Sequence, residues 1–305
     1  MVHNLLWTGG FDSTFRLCQL SREDCVIQPI YLKIKERLAV KYELEAQQKI
    51  LRFLDEKGHK ATILPVKVVD MSPYMNDIDT HSAFERMCAD DRIGGQYVPM
   101  ASFVNHFGYC ELCQEGYVNS PGALTRMLMN GVVFKYDEMG NRFIDKSKSD
   151  KDKVIIFGNY YFPILDINNL QMIDMLKKWG LYGVISLVRF CMSDTEESCG
   201  YCVCCLNKAS ISKEVFKFSK EALRQIEICM YLRKIDKTKE FYYSYCLYMR
   251  NKEICYLTDV IKNNINHIPL GFLYHKFDKL NSLSTKMIRK LYNRYGSIDD
   301  FINKF

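Results

Sequence analysis

The chain has 305 residues, 48% of them apolar and 26% charged, the profile of a globular protein with room for one large domain or a medium domain and a smaller one. No apolar run reaches the roughly 18 residues of a membrane span, and the start, Met1-Val2-His3-Asn4-Leu5-Leu6-Trp7, has no basic region ahead of a long apolar core, so neither a membrane partner nor secretion is expected and the predicted location is cytoplasmic. The net charge of +6 is uneven: residues 206–305 hold 19 Lys and Arg against 10 Asp and Glu, and residues 1–205 hold 23 against 26, so a polyanion partner for the basic tail and a solvated lysine-rich helical surface both remain open.

Residues 2–8 read as a short buried strand, broken at Gly9-Gly10, after which Asp12-Ser13-Thr14 start a helix with apolar positions at Phe15, Leu17 and Leu20. Val26–Leu32 reads as a second strand, and Lys41–Gly58 as a helix with Leu44, Ile50, Leu51 and Leu54 at helical spacing and a glycine at its end. Ile63–Val69 and Val154–Phe157 are β-rich runs, the latter ended by Gly158, and Leu170–Trp179 is amphipathic and closed by Gly180. The alternation predicts an α/β fold: an open, mostly parallel sheet with helices on both faces. Residues 108–153 interrupt it with turn signals and the charged run Asp145–Lys153, and read as an insertion with a solvated, mobile loop. After about residue 207 strand signals stop, which predicts a core over 1–206 and an α-helical region over 207–305.

The segment Thr8-Gly9-Gly10-Phe11-Asp12-Ser13-Thr14 suits an anion. Two glycines let the backbone turn and approach a ligand without a Cβ in the way. Thr8, Ser13 and Thr14 add hydroxyls beside the amides of a helix N-terminus, where the dipole is positive. The segment lacks the lysine and spacing of a Walker loop and the third glycine of a dinucleotide fingerprint. An ordinary strand–turn–helix connection fits the pattern as well.

In a reducing compartment the 13 cysteines are not expected to build a disulfide framework. Cys18, Cys25, Cys88, Cys229, Cys246 and Cys255 read as small buried hydrophobes. Cys191, Cys199, Cys202 and Cys205 are different: their C-x7-C-x2-C-x2-C spacing can close a tetrahedral Zn2+ shell, with Gly200 relieving the tight turn. An iron–sulfur cluster is the other occupant that four thiolates serve, and buried thiols without metal are the bland reading. Cys110 and Cys113 read either as half of a second metal site or redox pair, or as two ordinary thiols on a short helix.

Thr8-Gly9-Gly10-Phe11-Asp12-Ser13 resembles the Ser-Gly-Gly-x-Asp-Ser signature of the PP-loop ATP pyrophosphatases, with Thr8 for the leading serine. The four-cysteine motif, with its Cys199-Gly200-Tyr201-Cys202, is similar to the zinc motif of the QueC family, the 7-cyano-7-deazaguanine synthases. Tyr160–Leu165 with the helix running to Trp179-Gly180, and Tyr97-Val98-Pro99, resemble further segments of that family, so the resemblance spans most of residues 3–208. It implies that Thr8, Gly9, Gly10, Phe11, Asp12, Ser13 and Thr14 bind ATP, with Asp12 contacting Mg2+ or positioning the loop and with Asp12 and Ser13 as the catalytic pair. A substrate atom attacks the α-phosphate, AMP is transferred and pyrophosphate leaves.

Departures fall on the substrate side. The resemblance predicts Arg-Asn at Ala101-Ser102, Asp-Lys at Asn168-Asn169 and Glu at Gln171, and a long loop before Pro163 is missing. The region 207–305 and the stretch with Cys110 and Cys113 have no counterpart in the housekeeping synthases, and QueC-like proteins of antiphage defence systems, CBASS and Qat among them, are more similar in kind. The leading expectation is an AMP-forming ligase that adenylates a carboxylate, 7-carboxy-7-deazaguanine first among them, for attack by a nitrogen nucleophile: ammonia, giving a nitrile, or an amine on a protein or nucleic acid recruited by the basic C-terminal region. The alternative is a catalytically inactive, zinc-stabilised module that binds nucleotide or nucleic acid. A tRNA-modifying PP-loop enzyme fits less well, because the cysteines suit a closed structural site. A homodimer is left open.

Overall fold

The computed structural model describes residues 2–35, 37–89, 93–116 and 123–235, with Cys246, Met249 and Arg250. Most of the basic tail, including the tyrosine-rich stretch 241–245, Lys237 and Lys239, lies outside the described residues. Met1–Ser198 with Asn207–Lys217 forms one compact unit; Cys199–Leu206 with the described residues from Phe218 onward belongs to another.

The first unit is built on a mostly parallel sheet. Strand β1 (Val2–Leu6) leads into helix α1 (Phe11–Leu20), β2 (Val26–Lys33), α2 (Val40–Lys57), β3 (Thr62–Ile63) and β4 (Lys67–Asp70). A 3-10 turn at Ser72–Tyr74 precedes α3 (Ile78–Met87) and α4 (Tyr97–Phe107). Then come β5 (Cys110–Glu111), α5 (Ala123–Met129), β6 (Phe134–Tyr136), β7 (Arg142–Ile144), α6 (Lys151–Phe157), β8 (Tyr160–Tyr161) and α7 (Asn169–Lys178). The order across the sheet is β3-β2-β1-β5-β8-β7-β6, with β4 also paired to β2. The strands from β3 to β8 run parallel, and β7 and β6 complete the edge antiparallel.

Local chemistry explains these boundaries. The β-rich run 63–69 becomes two strands because Pro65 has no N–H to give the ladder: Val26 and Ile27 pair with β3, whereas Ile30–Lys33 pair with β4. Side chains of β2 alternate between faces. Ile30 and Leu32 join a core with residues of α3, α4, α5 and α6, whereas Tyr31, between them, bonds Glu43 of α2 through its hydroxyl at 2.6 Å. Helices therefore cover both sides of this strand. The expected helices over 41–58 and 170–179 are present, with Gly58 following α2 at φ +73°.

One expected strand is absent. Val154–Phe157 lies in helix α6, not in a strand. Its β-branched composition is overridden by the carboxylate of Asp150, which accepts from the amides of Asp152 and Lys153 and starts the helix. Burial of Ile156 and Phe157 then holds it, and strand pairing resumes only at Tyr160. Within the stretch 108–153, Cys110–Glu111 forms an inner strand of the sheet, and the charged run is ordered at Asp145, which accepts from the amide and hydroxyl of Ser147.

Helix α8 (Val203–Ile211) carries the last clustered cysteine, Cys205, in its first turn, and α9 (Lys220–Ile235) belongs to the second unit.

Candidate functional site

The chain leaves β1 for β2 on one side and later returns to lay β5 on the other. In open α/β sheets such a reversal leaves a crevice beyond the strand carboxyl ends, where ligands bind. The segment Thr8–Thr14 leaves the carboxyl end of β1 at this point, and Leu112–Gly116 leaves that of β5.

Gly9 has φ +77°, a conformation that L side chains rarely adopt, and a Cβ there would sit 3.2 Å from the Glu43 carbonyl and 3.4 Å from Gln47 Cγ on α2. The Gly9 carbonyl accepts from the Arg189 amide at 2.8 Å. Gly10 is the extended N-cap of α1 and supplies no capping side chain, so no side chain caps the amides of the first turn. Thr8 Oγ1 is 3.4 Å from the Gly10 amide. Thr14 is buried, and its Oγ1 accepts from Trp7 Nε1 at 3.0 Å. Phe11 is also buried, edge-on to Phe216 at 5.1 Å. Thus Phe11 and Thr14 face the core and anchor the loop, Ser13 is largely buried, and Asp12 keeps 30% of its side chain exposed.

Sequence reading missed the groups that complete this site. Lys208 of α8 reaches Asp12 Oδ1 at 3.1 Å and Asn169 Oδ1 at 2.8 Å. Its Nζ lies over the rings of Phe11 (4.9 Å) and Phe216 (5.5 Å). Glu115, beyond β5, is pushed up to about 7 by burial and by the charge of Asp12, with Lys208 acting in the opposite direction. Its Oε2 is buried with no hydrogen-bond partner among the described residues. Gly116 fixes this segment: its amide bonds the Ile167 carbonyl at 2.9 Å, and a Cβ would lie 2.7 Å from the Leu165 carbonyl. Those contacts place the stretch after β5 against the residues that lead into α7. The only sequence hint was position: Lys208 falls three residues after the last clustered cysteine.

Beneath the loop, Arg16 of α1 donates from Nε and Nη2 to Glu111 at 2.8 and 2.9 Å, and His3 Nδ1 lies 2.7 Å from the same carboxylate. Burial alone would raise the Glu111 carboxyl; the bonds from Arg16 and His3 outweigh it and hold the carboxyl below its ordinary value. This network ties β1, α1 and β5 together beneath the site. Arg189 has its guanidinium on the carbonyls of Ser193, Thr195 and Glu196 at 2.7–2.8 Å, which ties the segment that touches Gly9 to the chain that follows it.

The neutral positions on the expected substrate side have local structural roles. Asn168 and Gln171 form a capping box at the start of α7, at 3.0 and 2.9 Å. Asn169 holds Lys208, so the site has a cation although residue 169 is uncharged. Ala101 and Ser102 are buried in α4. Cys110 lies on a strand, not on a short helix. Burial pushes its thiol up to about 12 and that of Cys113 well above its ordinary value, the behaviour of inert thiols.

The Sγ atoms of Cys191, Cys199, Cys202 and Cys205 all lie within 4.8 Å of one another, the one such group of His, Cys, Asp or Glu ligands among the described residues. A tetrahedron with Zn–S bonds of about 2.3 Å has edges of about 3.8 Å; Cys199 and Cys205 are 4.0 Å apart. The Cys202 amide points at Cys199 Sγ at 3.4 Å, the kind of turn that wraps successive ligands around one ion. Gly200 has φ +75°, and a Cβ there would collide with the Ala222 carbonyl. The donor set and its spacing fit a metal ion such as zinc. Cys204 is not a member of the group.

No described helix is long and apolar enough to cross a membrane. No protein-family model matches the chain, and no curated protein matches it either.

Proposed function

We propose that the chain binds ATP through Thr8–Ser13 and uses it to adenylate a carboxylate, releasing pyrophosphate, as in the PP-loop enzymes that its sequence resembles. The observation that carries this reading is the two-glycine loop with uncapped helix amides at the reversal of the sheet, flanked by Asp12 and Lys208. A substrate phosphate there gains the amides and the helix dipole, and catalysis of this kind is mostly positioning and charge stabilisation. Asp12 is the residue that would hold Mg2+, which would supply positive charge for the phosphates. Glu115, near neutrality, has the pKa of a proton acceptor for an attacking amine. With a metal bound, the four cysteines, Cys205 of α8 among them, would supply a closed structural site that takes no part in the chemistry.

For the carboxylate, 7-carboxy-7-deazaguanine is the first compound to test, and the basic region 207–305 is proposed to recruit a macromolecular amine. Incubation with ATP, Mg2+, this acid and an ammonium salt should give AMP and pyrophosphate in equal amounts, pyrophosphate leaving on adenylation and AMP when the nitrogen nucleophile attacks the acyl adenylate. Absence of both products, with partner proteins supplied, rejects the reading. A second reading, an inactive nucleotide-binding module, is favoured by one observation: Asn168 and Gln171 are consumed in the capping box and leave no charge for a substrate. Saturable ATP binding without turnover selects it.

A further inference from the structure

We propose that Lys208 is the phosphate-binding cation of the Thr8–Thr14 loop, supplied from a helix that starts 189 residues after the loop ends. The inference rests on the ATP-binding reading above and assigns the charge which that loop lacks: none of residues 8–14 is a lysine or arginine. A cradle of amides alone binds phosphate weakly against water; a directed ammonium adds charge-assisted hydrogen bonds.

Neighbouring cations are committed elsewhere. The Arg16 guanidinium is held by Glu111 and Gln19, that of Arg37 by Glu43, and the two terminal nitrogens of Arg189 by three carbonyls, its Nε being buried with no hydrogen-bond partner among the described residues. Lys208 differs in where its charge is placed. Like Arg16 and Arg189 it is 8% exposed, and a lysine so buried needs a counter-charge to repay its lost hydration. It uses two of its three N–H donors, on Asp12 and Asn169, and the third has no partner among the described residues. Finally, Asn169 and the rings of Phe11 and Phe216 fix the ammonium beside the first turn of α1, so little side-chain entropy is lost when an anion arrives. Asp12 neutralises Lys208 before ligand binds and would share that ammonium with a bound phosphate.

The test is calorimetric, with inorganic pyrophosphate, ATP and adenosine titrated into the full chain and into Lys208→Gln and Lys208→Arg. Lys208→Gln should weaken pyrophosphate and ATP by about tenfold or more and leave adenosine unchanged. Lys208→Arg should stay within a few fold of the parent. Should Lys208→Gln fail to fold, Asp12→Asn combined with Lys208→Gln removes the charge left unpaired, and it too should lose pyrophosphate affinity. If the folded variants bind pyrophosphate as tightly as the parent, this assignment is overturned while the loop reading stands. If the parent binds neither pyrophosphate nor ATP, both fall together.

Discussion

Lys208 Nζ and Asp12 Oδ1 meet at 3.1 Å although 196 residues separate them. The contact joins α8, the helix that also carries Cys205, to the first turn of α1, and it places a compensated pair of charges at the open end of the central strand. Since Asp12 is the partly exposed member, with 30% of its side chain accessible against 10% for Lys208, the pair is asymmetric: removing Asp12 strands a buried ammonium, whereas removing Lys208 leaves a carboxylate that water can reach.

Asp12→Ala should therefore destabilise the fold by about 1–3 kcal/mol, because an uncompensated buried charge remains, and Asp12→Asn, which keeps a hydrogen-bond acceptor for Lys208, should cost less. Both should abolish AMP formation. Thermal melts and an AMP assay on the two variants separate the structural from the functional effect: the proposed role of Asp12 fails if Asp12→Asn turns over ATP at the parental rate.

Gly9→Ala tests the loop geometry. The residue sits at φ +77°, and its new Cβ would press on the Glu43 carbonyl at 3.2 Å. Left-handed backbone costs a residue with a Cβ roughly 1–2 kcal/mol, and the shift of α2 needed to relieve the contact adds to this. The expected outcome is a lower melting temperature with loss of pyrophosphate binding. Gly58→Ala is the control: at φ +73° with nothing within 4 Å of the new Cβ, it should cost stability without touching ligand binding.

Much of this architecture was legible from pattern. Gly-Gly before Asp12 placed a strand–loop–helix junction, the glycines at 58 and 180 ended two helices, and the cysteine spacing located four thiols that do converge. Two kinds of feature were not legible. Val154–Phe157 has strand composition, and only the Asp150 cap and burial against neighbouring helices decide for helix. Lys208 and Glu115, companions of the loop, come from distant parts of the chain, where no local periodicity marks them. Asn168 and Gln171 show the converse. They read as charges missing from a substrate site, yet in the fold they close a capping box, so Asn168→Ala should lower stability by about 1 kcal/mol with little effect on ATP binding, measurable by melts and calorimetry on one sample.

Glu115 makes the stability depend on pH. Its folded carboxyl is raised to about 7 from the ordinary 4.5, by burial first and Asp12 second. Between those values the folded state binds the proton more tightly than the unfolded chain does, so the contribution of Glu115 is fully present below about pH 4.5, declines as pH rises and is lost above about 7. Glu115→Gln stays uncharged throughout. It should match the parent at pH 4.5 and exceed it at pH 8 by on the order of 2 kcal/mol, as read from urea midpoints at the two pH values. An equal gain at both would mean that the carboxyl is already ionised at pH 4.5 or contributes by shape alone. Lys208→Gln, by removing the one nearby charge that lowers Glu115, should widen the difference between the two pH values.

The cysteine cluster yields a prediction about metal that does not depend on the enzyme reading. Four thiols within 4.8 Å of one another cannot all ionise without a cation between them, because like charges at that spacing repel strongly; a divalent ion removes the penalty and binds the thiolates outright. Elemental analysis should find about one zinc per chain, and the bound form should unfold well above the chelated one, since metal that binds only the folded state adds its binding free energy to stability. Cys199→Ser, Cys202→Ser, Cys205→Ser and Cys191→Ser should each lose the metal, whereas Cys204→Ser, outside the group, should retain it. Gly200→Ala separates ligand chemistry from backbone shape: it keeps all four thiols, but the strained φ and the collision with the Ala222 carbonyl should distort the turn and lower zinc retention under chelator. Stoichiometric iron with visible absorbance would show that the thiolates hold a cluster instead, and full zinc retention by Cys202→Ser would remove that residue from the ligand set.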